Sequence, residues 1–173
     1  MNLKATLTAL FSLVFLPVAS QAEPLAVGAP APDLTAKDQN GKTVKFKDVY
    51  AKGPTLVYFY PKADTPGCTK QGCSIRDSWT DLQGKGIQVI GVSEDSVDAQ
   101  KKFADKYTLP HTLIADDDGK VAAAFQVAMK GKIAMRQSFL IKDGKVAWNM
   151  LEKTSTDTHA KDVMAAVEGL AKK

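Results

Sequence analysis

The sequence predicts a single α/β domain: a central mixed β-sheet with helices on both faces and a β-hairpin at the N-terminal side. Three observations predict it. Short apolar runs at residues 55–60, 87–92 and 112–115 are each long enough for a buried strand. Helical-period segments separate them, which points to parallel strands joined by crossover helices. A later pair of strand-like runs meets across Asp143-Gly144, a tight turn that makes that pair antiparallel. No repeat or low-complexity tract interrupts the alternation.

Taken in order, Lys4 opens a short basic region, residues 5–16 are apolar, and Pro17 breaks them. Ser20-Gln21-Ala22 then offers small residues at the two positions a signal peptidase reads. The apolar stretch falls short of the roughly 20 residues needed to span a bilayer. Residues 1–22 therefore read as a secretory signal peptide cleaved after Ala22. Residues 23–173 are then the domain, in a protein that is periplasmic or otherwise exported, with no membrane attachment after cleavage. Residues 23–32, rich in Pro and Ala, form an extended lead-in. Residues 34–46 read as the hairpin, turning at Asn40-Gly41, with Val44 and Phe46 directed to one side.

Gly53-Pro54 punctuates the chain before the strand at 55–60. Thr65 and Pro66 read as the N-cap and first turn of a helix. Ile75, Trp79 and Leu82 give that helix a buried stripe, so one helix is predicted up to the Gly84 and Gly86 pair. The strand at 87–92 leads into a helix ending near Lys106, with Phe103 and Tyr107 on one face. After the strand at 112–115, residues 116–119 make an acidic turn and 121–125 a short helix. A strand at 134–141 turns at Asp143-Gly144 into another at 145–150. A final helix at 157–170 shows Val163, Val167 and Leu170 at helical spacing.

The net charge of +4 is spread, with basic residues interspersed among acids. That describes a solvated surface, and no arginine-rich or aromatic-interleaved patch offers a nucleic-acid footprint. The length supports a sizeable core without disulfide staples. The chain has two cysteines, Cys68 and Cys73. A bridge between them would close too small a loop to add much as scaffold, which turns attention to redox chemistry. Cys68 falls at N3 of the predicted helix, where backbone N–H groups lack partners and their field favours a thiolate. Such a thiolate can attack a disulfide, an electrophilic carbonyl or a peroxide oxygen. Five residues of ideal helix separate the two Cα atoms by about 8.6 Å. Disulfide partners rarely exceed about 7 Å. Either the pair is inert, or its chemistry requires the helix to unwind locally.

The stretch TLVYFYPKADTPGCTKQGCSIRD resembles the active-site segment of the peroxiredoxins, specifically the bacterioferritin-comigratory or PrxQ subfamily. That subfamily's order P-x-x-x-T-x-x-C is met by Pro61, Thr65 and Cys68, and its resolving cysteine by Cys73. The resemblance continues through VIGVSEDSVDAQKKFADKYTLP, IADDDGKVAAAFQV and RQSFLIKDGKV, spanning roughly residues 27–171. It implies a thioredoxin-like fold and a thiol-dependent peroxidase of the atypical two-cysteine kind, with no cofactor and no metal. Cys68 would be the peroxidatic thiol, Cys73 the resolving one, and Arg136 of RQSF a donor beside the sulfur. Thr65 would bond thiolate and peroxide, and Pro61 would shield the sulfenate. The substrates implied are hydrogen peroxide and organic hydroperoxides. The partner implied is an exported thioredoxin-like dithiol, acting on a monomer or weak dimer.

Other residues carry less. His111 stands where the subfamily often has Phe after Leu-Pro, and His159 reads as an ordinary residue. Trp79 and Trp148 read as core or interface aromatics, and residues 116–118 as an acidic run with too few evident partners to make a cation site. Two competing functions use the same thiols. A thioredoxin-type disulfide reductase needs C-x-x-C and gives Pro61, Thr65 and Arg136 no purpose. A copper assembly factor would suit two thiols and a distal His but uses C-x3-C. The spacing here is C-x4-C.

Overall fold

The computed structural model describes residues 23–152 and 155–171. The predicted signal peptide lies outside the described residues. No helix among them is long and apolar enough to cross a membrane.

The lead-in runs along the sheet edge: the N–H groups of Gly28 and Ala31 donate to the carbonyls of Val146 and Gly144. The hairpin is strand β1 (Thr35–Asp38) with β2 (Thr43–Lys45). Asp38 Oδ1 sets its turn by accepting from the N–H groups of Asn40 and Lys42 at 2.8 and 2.9 Å. Phe46, expected in the hairpin, instead opens a short helix α1 (Phe46–Tyr50) that sequence reading missed. The buried Phe46 ring packs against Tyr50 and Phe125, so tertiary contact ends the strand there.

Strands β3 (Thr55–Phe59), β4 (Gln88–Ser93) and β5 (Thr112–Ala115) are parallel neighbours. Between β3 and β4 the single predicted helix is in fact two, α2 (Pro66–Asp77) and α3 (Trp79–Gly84). They break at Ser78, whose ψ of 13° leaves the helix, and the break lets Trp79 lie on the His111 ring while Leu82 stays buried. Helix α4 (Val97–Tyr107) joins β4 to β5, capped by Ser96 accepting from Ala99 N–H. Helix α5 (Lys120–Ala124) starts on Asp116, whose carboxylate accepts from the N–H groups of Val121 and Ala122.

The strand expected at 134–141 is also interrupted. A small hairpin of β6 (Met129–Lys130) and β7 (Ile133–Ala134) comes first, and β8 (Ser138–Lys142) starts only after a gap. In that gap Gln137 spends its side chain on backbone, Oε1 accepting from Ala128 N–H and Nε2 donating to Leu151 O. Strand β9 (Lys145–Met150) pairs with β8, and helix α6 (His159–Ala171) closes the chain. The seven-stranded sheet has the order β2-β1-β5-β4-β3-β8-β9, with β8 antiparallel to β3. This is the thioredoxin-like arrangement that the sequence resemblance implied.

Side chains alternate along β3, as a pleated strand requires. Val57 and Phe59 join an apolar cluster with Phe46, Ile90, Ile114, Phe125 and Phe139. Leu56, Tyr58 and Tyr60 join the opposite cluster, with Ile75, Phe103, Leu113 and Cys68. The thiol is therefore part of one of the two cores.

Candidate active site

Cys68 is 2 % exposed and sits at N3 of α2. Thr65 is the N-cap by backbone, extended at φ −90° and ψ 153°, its carbonyl accepting from Thr69 N–H at 2.8 Å. Its hydroxyl makes no cap bond and donates instead to Lys62 O at 2.9 Å. Pro66 occupies the first helical position, where its missing N–H costs nothing.

The loop from Pro61 to Thr65 is held by buried polar groups. Tyr60 OH donates to Gln100 Oε1, and Gln100 Nε2 donates to Ser93 Oγ at 2.8 Å. Ser93 Oγ and the Ala63 N–H both donate to Asp95 Oδ2 at 2.7 Å. Asp64, in the left-handed region at φ 57°, accepts from Lys106 Nζ and Tyr107 OH. Those two bonds hold its carboxyl below the usual range, Lys106 contributing most. Pro61 is half-buried and lines a hollow of about 580 Å³ with Glu94, Asp95 and Ile133.

Arg136, in the gap before β8, brings its guanidinium across to the helix: Nη2 donates to Cys68 Sγ at 3.2 Å and Nη1 to Gln71 Oε1 at 2.6 Å. The approach depends on Gly67, because a Cβ there would stand 2.8 Å from Nη2. Gln71 is fully buried, and its Nε2 lies 3.4 Å from His159 Nδ1. His159 Nε2 lies 2.9 Å from Ser138 Oγ, and both residues are fully buried. Burial, with the Arg136 charge second, pushes His159 down to about 4. His111 is pushed down to about 3, chiefly by burial, and its Nε2 meets Tyr58 OH at 2.8 Å. Burial raises the Tyr58 and Tyr60 hydroxyls well above their ordinary range, so both stay protonated.

Cys73 is half-buried on the same unbroken α2, and both thiols are free. The helix between them also packs closely. A Cβ on Gly72 would stand 3.3 Å from Leu109 Cδ1 and 3.6 Å from Phe103 Cζ. Among the described residues, no group of three or more His, Cys, Asp or Glu side chains is placed to hold a metal ion.

The site is thus a buried thiol on the first turn of α2, met by the Arg136 guanidinium from the segment before β8. Residues 27–149 match the AhpC/TSA family. The putative peroxiredoxin bcp of Coxiella burnetii is 37% identical over 147 residues, covering 81% of this chain and 97% of that one. The chloroplastic peroxiredoxin Q of Triticum aestivum is 37% identical over 146 residues, covering 83% and 67%. Among solved structures, the peroxidoxin BcpB of Mycobacterium tuberculosis superposes with a TM-score of 0.79 at 32% identity, covering 84% of this chain and 98% of that one. The chain belongs to the peroxiredoxins of the AhpC/TSA family, in the Q or bacterioferritin-comigratory branch.

This peroxiredoxin is a thiol-based peroxidase, working through active-site cysteines on a hydroperoxide with a thioredoxin-type reductant. The structure brings Cys68 and Arg136 into contact, sets Thr65 and Pro61 in the loop before Cys68, and leaves Cys73 further along the helix. Sequence reading passed over Gly67, Gln71 and His159. Gln71 carried a usable signal, a polar residue one helical turn from Cys68 and so on its face. His159 carried none, because 91 positions of chain part it from Cys68 and only the fold joins them.

Proposed function

We propose that Cys68 is the peroxidatic thiol and Cys73 the resolving thiol of an exported peroxidase acting on hydrogen peroxide and organic hydroperoxides. The observation that carries this reading is the 3.2 Å contact from Arg136 Nη2 to Cys68 Sγ. A guanidinium there sets a fixed positive charge against the sulfur and can donate to a peroxide oxygen as the O–O bond lengthens. The thiolate attacks the terminal oxygen of R–O–O–H. A Cys68 S–O bond forms, the O–O bond breaks, and the departing alkoxide takes a proton to leave as alcohol, or as water from hydrogen peroxide. Thr65 would exchange its Lys62 bond for one to the peroxide, and Pro61 would keep solvent from the sulfenate.

The Cys73 thiol then condenses with the Cys68 sulfenic acid, forming the disulfide and releasing water. An external dithiol reduces that disulfide and is itself oxidised. With both cysteines on one helix, the Cα separation of about 8.6 Å must shorten, so α2 has to melt between them. The buried stripe of Ile75 would anchor its C-terminal half. Oxidised protein would therefore lose amide protection across residues 67–74, and equal protection in the two redox states would refute the unwinding. Intact-protein mass after one equivalent of peroxide tests the whole reading. The expected result is a loss of two mass units in the parent and a gain of one oxygen in Cys73→Ser. Export follows from residues 1–22 in sequence, and the secreted form should begin at Glu23 by mass.

A further inference from the structure

We propose that His159, on the first turn of α6, is a positioning residue for peroxide reduction: it orients the Gln71 amide, which holds the Arg136 guanidinium on the Cys68 sulfur. The inference rests on the reading of Cys68 and Arg136 given above and extends it to helix α6.

The polarity of the chain of contacts is set from one end. A guanidinium only donates, so the Gln71 atom at 2.6 Å from Arg136 Nη1 has to be the amide oxygen. The amide nitrogen then faces His159, and Nδ1 has to accept. The ring proton is left on Nε2, which donates to Ser138 Oγ at 2.9 Å. Gln71, Ser138 and His159 are each fully buried, so no water can substitute for a lost partner without opening the core. A neutral ring agrees with this, since burial and the Arg136 charge hold His159 well below the ordinary histidine range. Without the acceptor at Nδ1, the Gln71 amide is free to turn. Presenting its NH₂ to the guanidinium would set donor against donor.

The arrangement also ties the helix that must melt to a helix that need not. Gln71 and Ser74 lie three residues apart on α2 and both reach α6: Ser74 Oγ donates to Asp157 O and accepts from Ala160 N–H, each at 3.4 Å. Melting of α2 would take Gln71 from His159 and Arg136 together, so the assembled site belongs to the reduced enzyme.

The test is a double-mutant cycle on the second-order rate of sulfenate formation, measured by stopped flow in variants shown to be folded. His159→Leu should slow the step roughly tenfold in the parent, less than loss of the guanidinium itself. In the Arg136→Ala background the same change should alter the rate less than about twofold, because the residue acts through Arg136. His159→Asn returns an acceptor near the Nδ1 position and should recover most of the rate. His159→Gln places its polar end nearer Nε2 and should not. Equal losses in both backgrounds, or rescue by Gln and not by Asn, would overturn the proposal and leave His159 as a support for Ser138. Should His159→Leu fail to fold, Gln71→Met is taken through the same cycle with the same expectation. Arg136→Ala by itself leaving the rate unchanged would instead sink the underlying site reading.

Discussion

The two faces of the sheet are built from the same strands on different principles. On one, Val57, Phe59, Ile90, Ile114, Phe125 and Phe139 form an apolar cluster whose rings meet tilted or edge-on at 5.3 to 6.1 Å, and the buried polar side chains of Asp116 and Gln137 bond backbone groups there. On the other, Leu56 and Tyr58 of the same β3, and Tyr60 just beyond it, join a core that also holds Gln71, Gln100, Ser138 and both histidines. Apolar burial stabilises without direction, at about 25 cal/mol per Å². Buried hydrogen bonds contribute little net stability, but breaking one is expensive and their geometry is specific. The lesson is a division of labour, in which one face supplies stability and the other spends polar groups on placing Arg136 and the Pro61–Thr65 loop around a thiol.

Substitutions on the two faces should separate these roles. The largest effect is expected at the thiol, where Cys68→Ser should abolish peroxide consumption with the circular dichroism unchanged. On the apolar face, Phe125→Ala should lower unfolding free energy in urea by about 3–5 kcal/mol. Its peroxide rate constant, measured where the variant is folded, should stay that of the parent. Arg136→Ala should do the reverse, slowing sulfenate formation roughly 10²-fold, or about 2.7 kcal/mol of activation, with little change in the urea midpoint.

Acid should also distinguish the faces. His111 and His159 are held neutral in the folded chain, at about 3 and about 4, against an ordinary 6.5. Unfolded chain therefore binds more protons between those values, and stability falls as pH drops below about 6.5. Each histidine contributes roughly 1.4 kcal/mol per pH unit across its window. His111→Phe should remove one such contribution, and the difference between parent and variant in stability against pH isolates it. A parallel pair of curves would show that His111 is not held neutral by the fold.

The smallest effect is expected at Gly72. Alanine gains about 0.8–1 kcal/mol in helix propensity. Its Cβ would press on Leu109 at 3.3 Å, so the two effects offset and the melting temperature should hardly move. The sulfenate-to-disulfide step should nevertheless slow, because the segment that has to melt is stiffer. More Cys68 sulfinic acid at high peroxide, read by mass, is the expected sign.

Much of this was legible along the chain. The apolar runs located β3, β4 and β5, the Asp143-Gly144 turn located the β8–β9 hairpin, and Thr65-Pro66 marked the start of α2. Both thiols, and Arg136 by resemblance, stand out in the sequence. The readings that failed share one cause. The Ser78 break, the Phe46 helix and the gap before β8 each follow from what a side chain meets in the core, and local periodicity carries no record of that.

Sequence alone therefore determined the class of the fold, the helix that mounts Cys68, and the fact that Cys73 cannot reach it while that helix is whole. All three are consequences of short-range geometry: apolar period, proline and capping preference, and the fixed rise of a helix. Tertiary structure alone decided what stands around the sulfur. Gly67 leaves room for Arg136 only because the chain before β8 passes over α2, and His159 reaches Gln71 only because α6 docks there. Those contacts join residues far apart in the chain, and their distances are set by packing on a shared face of the sheet. No spacing along the sequence encodes them.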